Sequence, residues 1–283
     1  MITGLGYAFT GGTFMSRILA MFAMRLYRRA LPMTDALFFQ NSDNRAFFEH
    51  VGLLAGVRNP VQIPGPGVDL ERFPWVPIAQ PPHVITYLYV GRLLRDKGVA
   101  EFVQAARALR DLRTDDHRMR FQVAGFTDSN PGSVSSQEVA RWKEAGVVEY
   151  LGRLEDVRPA LAAASVFVLP SRGEGMPMSV LEAMSTGRAV VTGDSPGCRE
   201  TIEDQTSGYL VPPGSAPALA VAMEHFLEDP NLVVLMGRAA RERAERAFDA
   251  RTVNAQIIQS MGLASAPPVS PSRMLKNPID PRD

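Results

Sequence analysis

The chain carries a single cysteine, Cys198, in 283 residues. One thiol excludes an internal disulfide and a cysteine-based metal cluster. Histidine is almost as scarce: His50, His83, His117 and His225 lie far apart and show no ligand spacing, so no metal site is expected. Lysine is nearly missing as well. Lys97, Lys143 and Lys276 are the three lysines and arginine supplies the remaining positive charge, a bias that reads mainly as genomic base composition, although arginine also suits anionic ligands. Net charge is zero, which removes any bulk electrostatic case for nucleic acid or an anionic membrane. Long apolar runs are absent too. The longest near the start, Ile18 to Met24, is too short to span a bilayer and is flanked by Arg17 and Arg25. Met1 leads into Ile-Thr-Gly-Leu-Gly rather than a basic segment and an apolar core. No signal peptide is read there, and the expected location is the cytoplasm.

What is present is a globular composition, 46% hydrophobic and 21% charged, long enough for one large or two ordinary domains. Residues 63–83, IPGPGVDLERFPWVPIAQPPH, hold six prolines and two glycines, the composition of a linker. Beyond it, strand and helix patterns alternate regularly. Strands are expected at 84–90, 119–124, 147–151, 166–169, 189–192 and in GYLV. Helical spacing occurs from Val99 to Leu109, over 135–145, in a short segment capped by Asp156, from about Pro177, in CRETIED, and over 215–228 and 230–247. That alternation predicts a parallel, doubly wound sheet. Before the linker the pattern is shorter: an amphipathic helix in TFMSRILAMFAMRLYRRAL, a strand in DALFFQN, a helix in SDNRAFFEHVGLL and a strand in VQIP. This is about half of a doubly wound domain, so the chain reads as beginning in mid-fold, at a strand end that runs into TGLGYAFTGG. The stretch after Leu263 is rich in proline and serine and is expected to be disordered.

Two strand-to-helix loops carry chemistry. In a doubly wound sheet, ligands bind beyond the carboxyl ends of the strands. The loop SRGEGMP follows the strand ending at Leu169, and Pro177 suits the first turn of the next helix. The free amides of that helix start, near Met176 to Ser179, favour an anion. Glu174 falls in the loop and Glu182 eight positions on, one to two turns into the helix. Such carboxylates would repel a phosphate but could accept hydroxyl protons from a sugar. A solvated loop glutamate and an exposed helix glutamate remain the alternative. The second loop, VGRLLRDKGV, also lies between a strand and a helix. Gly91, Arg92 and Lys97 belong to it, and Arg92 and Lys97 could clamp a diphosphate, or form part of an ordinary charged surface loop. A GxGxxG fingerprint follows none of the expected strands, which argues against a dehydrogenase.

From YVGRLLRDKG through VAG, YLGRLEDV, FVLPSRGEGMPMSVLEAMSTGRAVVTGD and SGYLVPPG, the chain resembles the donor half of the GT-B family 4 retaining glycosyltransferases, over about residues 84–245. ITGLGYAFT, LFFQNSDNRAFF and IPGPGVDLERF resemble the branch that builds on polyprenyl-diphosphate-linked sugars in bacterial surface glycan assembly. The resemblance implies an α/β fold of GT-B type, with a doubly wound donor domain and an incomplete Rossmann-like acceptor domain. Its expected boundaries are 1–80 for the partial acceptor domain and linker and 81–247 for the donor domain. A C-terminal helix over 248–263 would return toward the N-terminal domain, followed by the tail 264–283. It implies that Arg92 and Lys97 hold the donor diphosphate and stabilise the leaving group, and that Glu174 contacts sugar hydroxyls near the reacting carbon. Amides around Gly175, Met176, Pro177 and Met178 would hold sugar and phosphate oxygens, Pro177 having no N–H to give. Glu182 would bind the ribose, and Gly152, Arg153 and Leu154 the uracil edge. Many relatives carry a histidine where this chain has Thr3-Gly4. Metal and cofactor are not required; the substrates implied are a nucleotide sugar, UDP-linked, and a glycan or polyprenyl-diphosphate-linked acceptor. The expected activity is therefore retaining transfer of a hexose or N-acetylhexosamine, the alternative being a truncated module that binds the nucleotide sugar without transferring it. Residues 14–30, basic and amphipathic, would allow peripheral contact with the inner face of a membrane, or simply form a domain helix with a solvated edge.

Overall fold

The computed structural model describes residues 1–4, 9, 14–113 and 116–263. Most of the glycine turn TGLGYAFTGG and the whole of 264–283 lie outside the described residues.

Six strands form one parallel sheet: β3 (Ile85–Val90), β4 (Met119–Ala124), β5 (Glu149–Gly152), β6 (Val166–Leu169), β7 (Ala189–Gly193) and β8 (Gly208–Val211), in the order β5-β4-β3-β6-β7-β8. Their central members are nearly continuous runs of buried residues, ITYLYV and VFVL, as expected of parallel strands covered on both faces. The connecting helices are α3 (Val99–Leu112), α4 (Ser136–Glu144), α5 (Arg158–Ala163), α6 (Met178–Thr186), α7 (Ala216–Glu228) and α8 (Asn231–Ala247). Strand β3 is followed by β4 on one side, while β6 lies against its other side. The sheet therefore reverses its winding between β3 and β6, and a crevice opens at their carboxyl ends.

A smaller parallel pair, β1 (Leu37–Phe39) and β2 (Pro60–Gln62), lies before the linker, with Ile2 bridged to Phe39 on the other edge of β1. Helices α1 (Phe14–Ala30) and α2 (Ser42–His50) accompany it. Leu31, Leu37, Phe39, Phe48 and Leu53 form its own apolar cluster, joined by Ile2, Met24 and Tyr27, with Phe39 and Phe48 edge-to-face at 5.2 Å.

Residues 63–83 are not a free linker over their first part. Ile63, Val68 and Phe73 are buried, and the Ser185 hydroxyl donates to the Phe73 carbonyl at 2.6 Å. Val68 pairs on both sides of Asp249, donating to Phe248 at 2.7 Å and accepting from Ala250 at 3.0 Å. Helix α9 (Ala250–Ser260) then runs back to the small sheet, where Asn59 donates to the Ser260 carbonyl at 2.9 Å.

Three local expectations differ. CRETIED forms successive turns, not a helix, because Glu200 and Arg199 are drawn outward to Ser42 and Asp43. Strand β5 begins at Glu149, not Val147; Val147 and Val148 are buried as they leave the Gly146 turn. Asp156 does accept from the Arg158 amide at 3.0 Å, but α5 starts only at Arg158.

Candidate functional site

The crevice between β3 and β6 is walled by the loops that leave those two strands. After β3, Tyr89 donates its hydroxyl to the Arg92 carbonyl at 3.0 Å, and Gly91 donates to Ala124 at 3.1 Å. The chain then makes a short 3-10 turn, Arg95–Lys97, closed by Gly98 at φ 76°. Gly98 needs both that left-handed backbone and its bare Cα, because a β-carbon would strike the Pro170 carbonyl of the opposite loop. That loop is bonded back: the Arg172 amide and the Ser171 hydroxyl both donate to the Asp96 carbonyl, at 2.8 and 3.1 Å. The two loops are thus one unit, and Lys97 is aimed across the crevice.

Lys97 meets Glu174 there in a direct ion pair, both side chains mostly shielded from water. Of the sequence candidates, these two are brought together. Arg92 lies on the same loop but reaches the other way, to Asp128 at 3.6 Å, and is half exposed. The end of β5 is stitched to its neighbours by the Gly125 amide, which donates to the Gly152 carbonyl at 2.8 Å. Arg153 stacks over the Phe126 ring at 4.9 Å, and Leu154 is half-buried beside it.

Helix α6 starts at Met178 behind Pro177, and no side chain caps it, so its first amides face the crevice end uncapped. Met176 is buried instead of lining the surface, its side chain packed on Gly65 of the 63–83 segment. Glu182 is neither exposed nor paired with a hydrogen-bond donor: burial pushes its carboxyl from the ordinary 4.5 up to about 7, opposed only by the charge of Arg72. Among the described residues, no three His, Cys, Asp or Glu side chains converge as metal ligands would.

Several site residues are not legible in the motifs. Arg172 donates to Glu101 at 2.7 Å and secures the acidic loop to α3. Asn41, fully buried at the start of α2, donates to the carbonyls of Glu174 and Gly175 at 3.1 and 2.7 Å. Gly175 must lack a side chain, since a β-carbon would collide with the Thr3 carbonyl and the Gln40 amide. Asn41 lies in LFFQNSDNRAFF, and its place before Ser-Asp-Asn is a helix-capping pattern, which points to a local role and not to a loop more than a hundred residues away.

A cation and a carboxylate thus face each other at the switch point of a doubly wound parallel sheet, the edge at which α/β folds of this kind bind ligands. The chain belongs to the family described as glycosyl transferases group 1, which it matches over residues 85–229. It is 28% identical over 256 residues to N,N'-diacetylbacillosaminyl-diphospho-undecaprenol alpha-1,3-N-acetylgalactosaminyltransferase of Campylobacter jejuni, covering 86% of this chain and 65% of that protein. It is 32% identical over 145 residues to alpha-D-kanosaminyltransferase of Streptomyces kanamyceticus, 51% of this chain and 37% of the relative. The fold is the GT-B α/β architecture. Sucrose-phosphate synthase from Thermosynechococcus elongatus superposes with a TM-score of 0.69 at 25% identity, covering 84% of this chain and 60% of that one. Anabaena HepE in complex with UDP and glucose gives 0.69 at 19% identity, covering 87% and 69%. The chain thus spans less than two thirds of the Campylobacter and Streptomyces relatives. No helix among the described residues is long and apolar enough to cross a membrane.

Proposed function

We propose that this chain carries the donor site of a retaining glycosyltransferase that moves a hexose or N-acetylhexosamine from a UDP-linked donor to a lipid-linked or glycan acceptor in surface polysaccharide assembly. The observation that carries the reading is the Lys97–Glu174 pair at the switch point, beside the uncapped start of α6. Lys97 and the helix amides supply fixed positive charge for a diphosphate, while Glu174 and Glu182 supply acceptors for sugar and ribose hydroxyls on either side of it. Arg92, half exposed and held by one long contact to Asp128, is free to swing onto the diphosphate. Gly91, Gly152, Arg153 and Leu154 would border the uracil, and Gly175, Met176, Pro177 and Met178 the sugar and phosphate oxygens.

In the reaction, the bond from the anomeric carbon to the leaving phosphate oxygen breaks with its electron pair going to UDP. The acceptor hydroxyl attacks from the same face, and its proton passes to the departing phosphate. Configuration is retained. Lys97 and Arg92 lower the barrier by stabilising charge that grows on the leaving group, in a site already organised for it. The ion pair holds the Lys97 and Glu174 side chains facing each other across the crevice, and a bound diphosphate would share the Lys97 ammonium.

The relatives' names support lipid-linked or polysaccharide acceptors. For the Campylobacter protein the acceptor is an undecaprenol-linked sugar, and a putative colanic acid glycosyltransferase of Escherichia coli is 29% identical over 210 residues. An acceptor of that kind brings the chain to the inner face of a membrane. Helix α1 offers four arginines, no acidic residue and an exposed apolar face for such contact. Calorimetry with UDP tests the core of the reading. Wild type is expected to bind, and Lys97→Ala to bind at least about tenfold more weakly, one charge-assisted contact being worth ~1.5–3 kcal/mol. Glu174→Gln is expected to cut turnover of the UDP-sugar far more than UDP affinity. Equal UDP affinity in wild type and Lys97→Ala would remove the site from this crevice.

A further inference from the structure

The Glu174 loop is held both by its own sheet and from outside it. Its backbone amide donates to the Pro196 carbonyl at 2.9 Å, and its carbonyl accepts from Asn41. Asn41 uses every polar atom of its side chain: Nδ2 donates to both Glu174 and Gly175, while Oδ1 accepts from the Asn44 amide at 2.8 Å. The orientation of the amide follows, since a flip would set its oxygen against two carbonyls and its nitrogen against an N–H. With both flanking peptides of Glu174 bonded, the direction in which its side chain leaves the backbone is set, and the carboxylate lies on Lys97. Thr3 and Gln40 close the far side of Gly175; these two approaches and the two Asn41 bonds come from the segment before the 63–83 stretch.

We infer that Asn41 is a positioning residue for Glu174: it ties the start of α2 to the acidic loop and sets the carboxylate where the transferred sugar would lie. This rests on the donor site proposed above. Its consequence is a split between nucleotide and sugar. UDP would be bound by the six-stranded sheet's own loops, whereas the extra affinity for the sugar, and its reaction, would depend on a residue from the small sheet. Misplacing a group by about 1 Å can cost on the order of 100-fold in rate.

The test uses Asn41→Ser and Asn41→Asp in the full chain. Both side chains can still cap α2, but neither can donate to the two carbonyls in the way the amide does. Affinities for UDP, UDP-glucose and UDP-N-acetylglucosamine would be measured with turnover of the two sugar nucleotides. UDP affinity is expected to change less than about threefold, while the gain of sugar nucleotide over UDP disappears and turnover falls about 10–100-fold. Amide exchange reads the same clamp without ligand: residues 173–176 should exchange faster in both variants, with α2 unchanged. Unaltered exchange there overturns the inference whatever the ligand data show. So does a loss of UDP affinity in step with melting temperature, which would mark a merely structural asparagine. A wild type that binds no UDP counts against the donor site itself and leaves the exchange result to decide the clamp.

Discussion

Glu182 shows at the residue scale how burial changes what a side chain can do. A carboxylate one turn into a helix is ordinarily solvated and ionised. Here desolvation raises it to about 7, with Arg72 as the single opposing charge. The sign of the linkage follows. A carboxyl whose folded value lies above its unfolded 4.5 contributes fully while it is protonated in both states, and that contribution is lost as pH rises through about 7. Glu182→Gln is therefore expected to raise the melting temperature at about pH 8, by the equivalent of ~1–2 kcal/mol, and to leave it unchanged at about pH 4. If the ribose hydroxyls donate to this carboxylate, UDP binding favours its ionised form. Wild type should then release a proton on binding near pH 6.5, seen as buffer-dependent binding heat, that Glu182→Gln does not release. Identical proton release in the two proteins would place the ribose elsewhere.

At the scale of elements, the strand-to-helix loops were readable because each is built from adjacent residues. The buried run of β6, the Pro177 break and the apolar spacing of α6 fix where the SRGEGMP loop emerges, and its chemistry lies within it. CRETIED misleads for the opposite reason. Its composition favours a helix, yet Arg199 and Glu200 are engaged by Asp43 and Ser42 of α2, and tertiary bonds override a short local preference. Helix α1 is intermediate. Its spacing marks it as amphipathic, but the structure assigns the faces: Met24 and Tyr27 pack on the small core, while Phe14, Ile18, Met21, Phe22 and Leu26 are exposed. Arg25 and Arg29 lie on the exposed side, their charge suited to anionic lipid. Flotation with phosphatidylglycerol-containing vesicles should carry wild type upward. Phe22→Glu combined with Arg25→Glu should abolish this, and neutral phosphatidylcholine vesicles should bind weakly. Equal flotation of wild type and variant would exclude α1 as the contact.

For the whole molecule, the decisive feature is the seam between the small sheet and the six-stranded one. Glu200 accepts from the Ser42 amide and hydroxyl at 3.1 and 2.8 Å with one oxygen, and from the Gly197 amide at 2.9 Å with the other. Arg199 reaches Asp43 and Asp194 at 3.2 and 2.8 Å. These contacts lie beside the Asn41 bonds and hold the same loops. Glu200→Ala is expected to cost about 1–3 kcal/mol, read from the melting transition, because a charged acceptor of several bonds is lost. It should leave UDP affinity within about twofold, since the Glu200 carboxylate bonds to Ser42 and Gly197 and not to Lys97 or Glu174; a large loss of affinity would show that seam and crevice are a single cooperative unit.

Local patterning along the chain specifies the parallel sheet, the places where its strands end, and the residue types at those ends. Periodicity and turn chemistry are local properties, and the winding rules of α/β folds convert them into a ligand edge. Lys97, Glu174 and Glu182 were reachable on those grounds alone. Which of them face one another, which is buried, and what holds them were decided only in three dimensions. Lys97 and Glu174 are 77 positions apart and Asn41 and Glu174 are 133 apart, distances at which no periodicity survives. Tertiary packing paired Lys97 with Glu174 and Arg92 with Asp128, withdrew Glu182 from water, and brought Asn41 onto the loop where the sugar is proposed to bind.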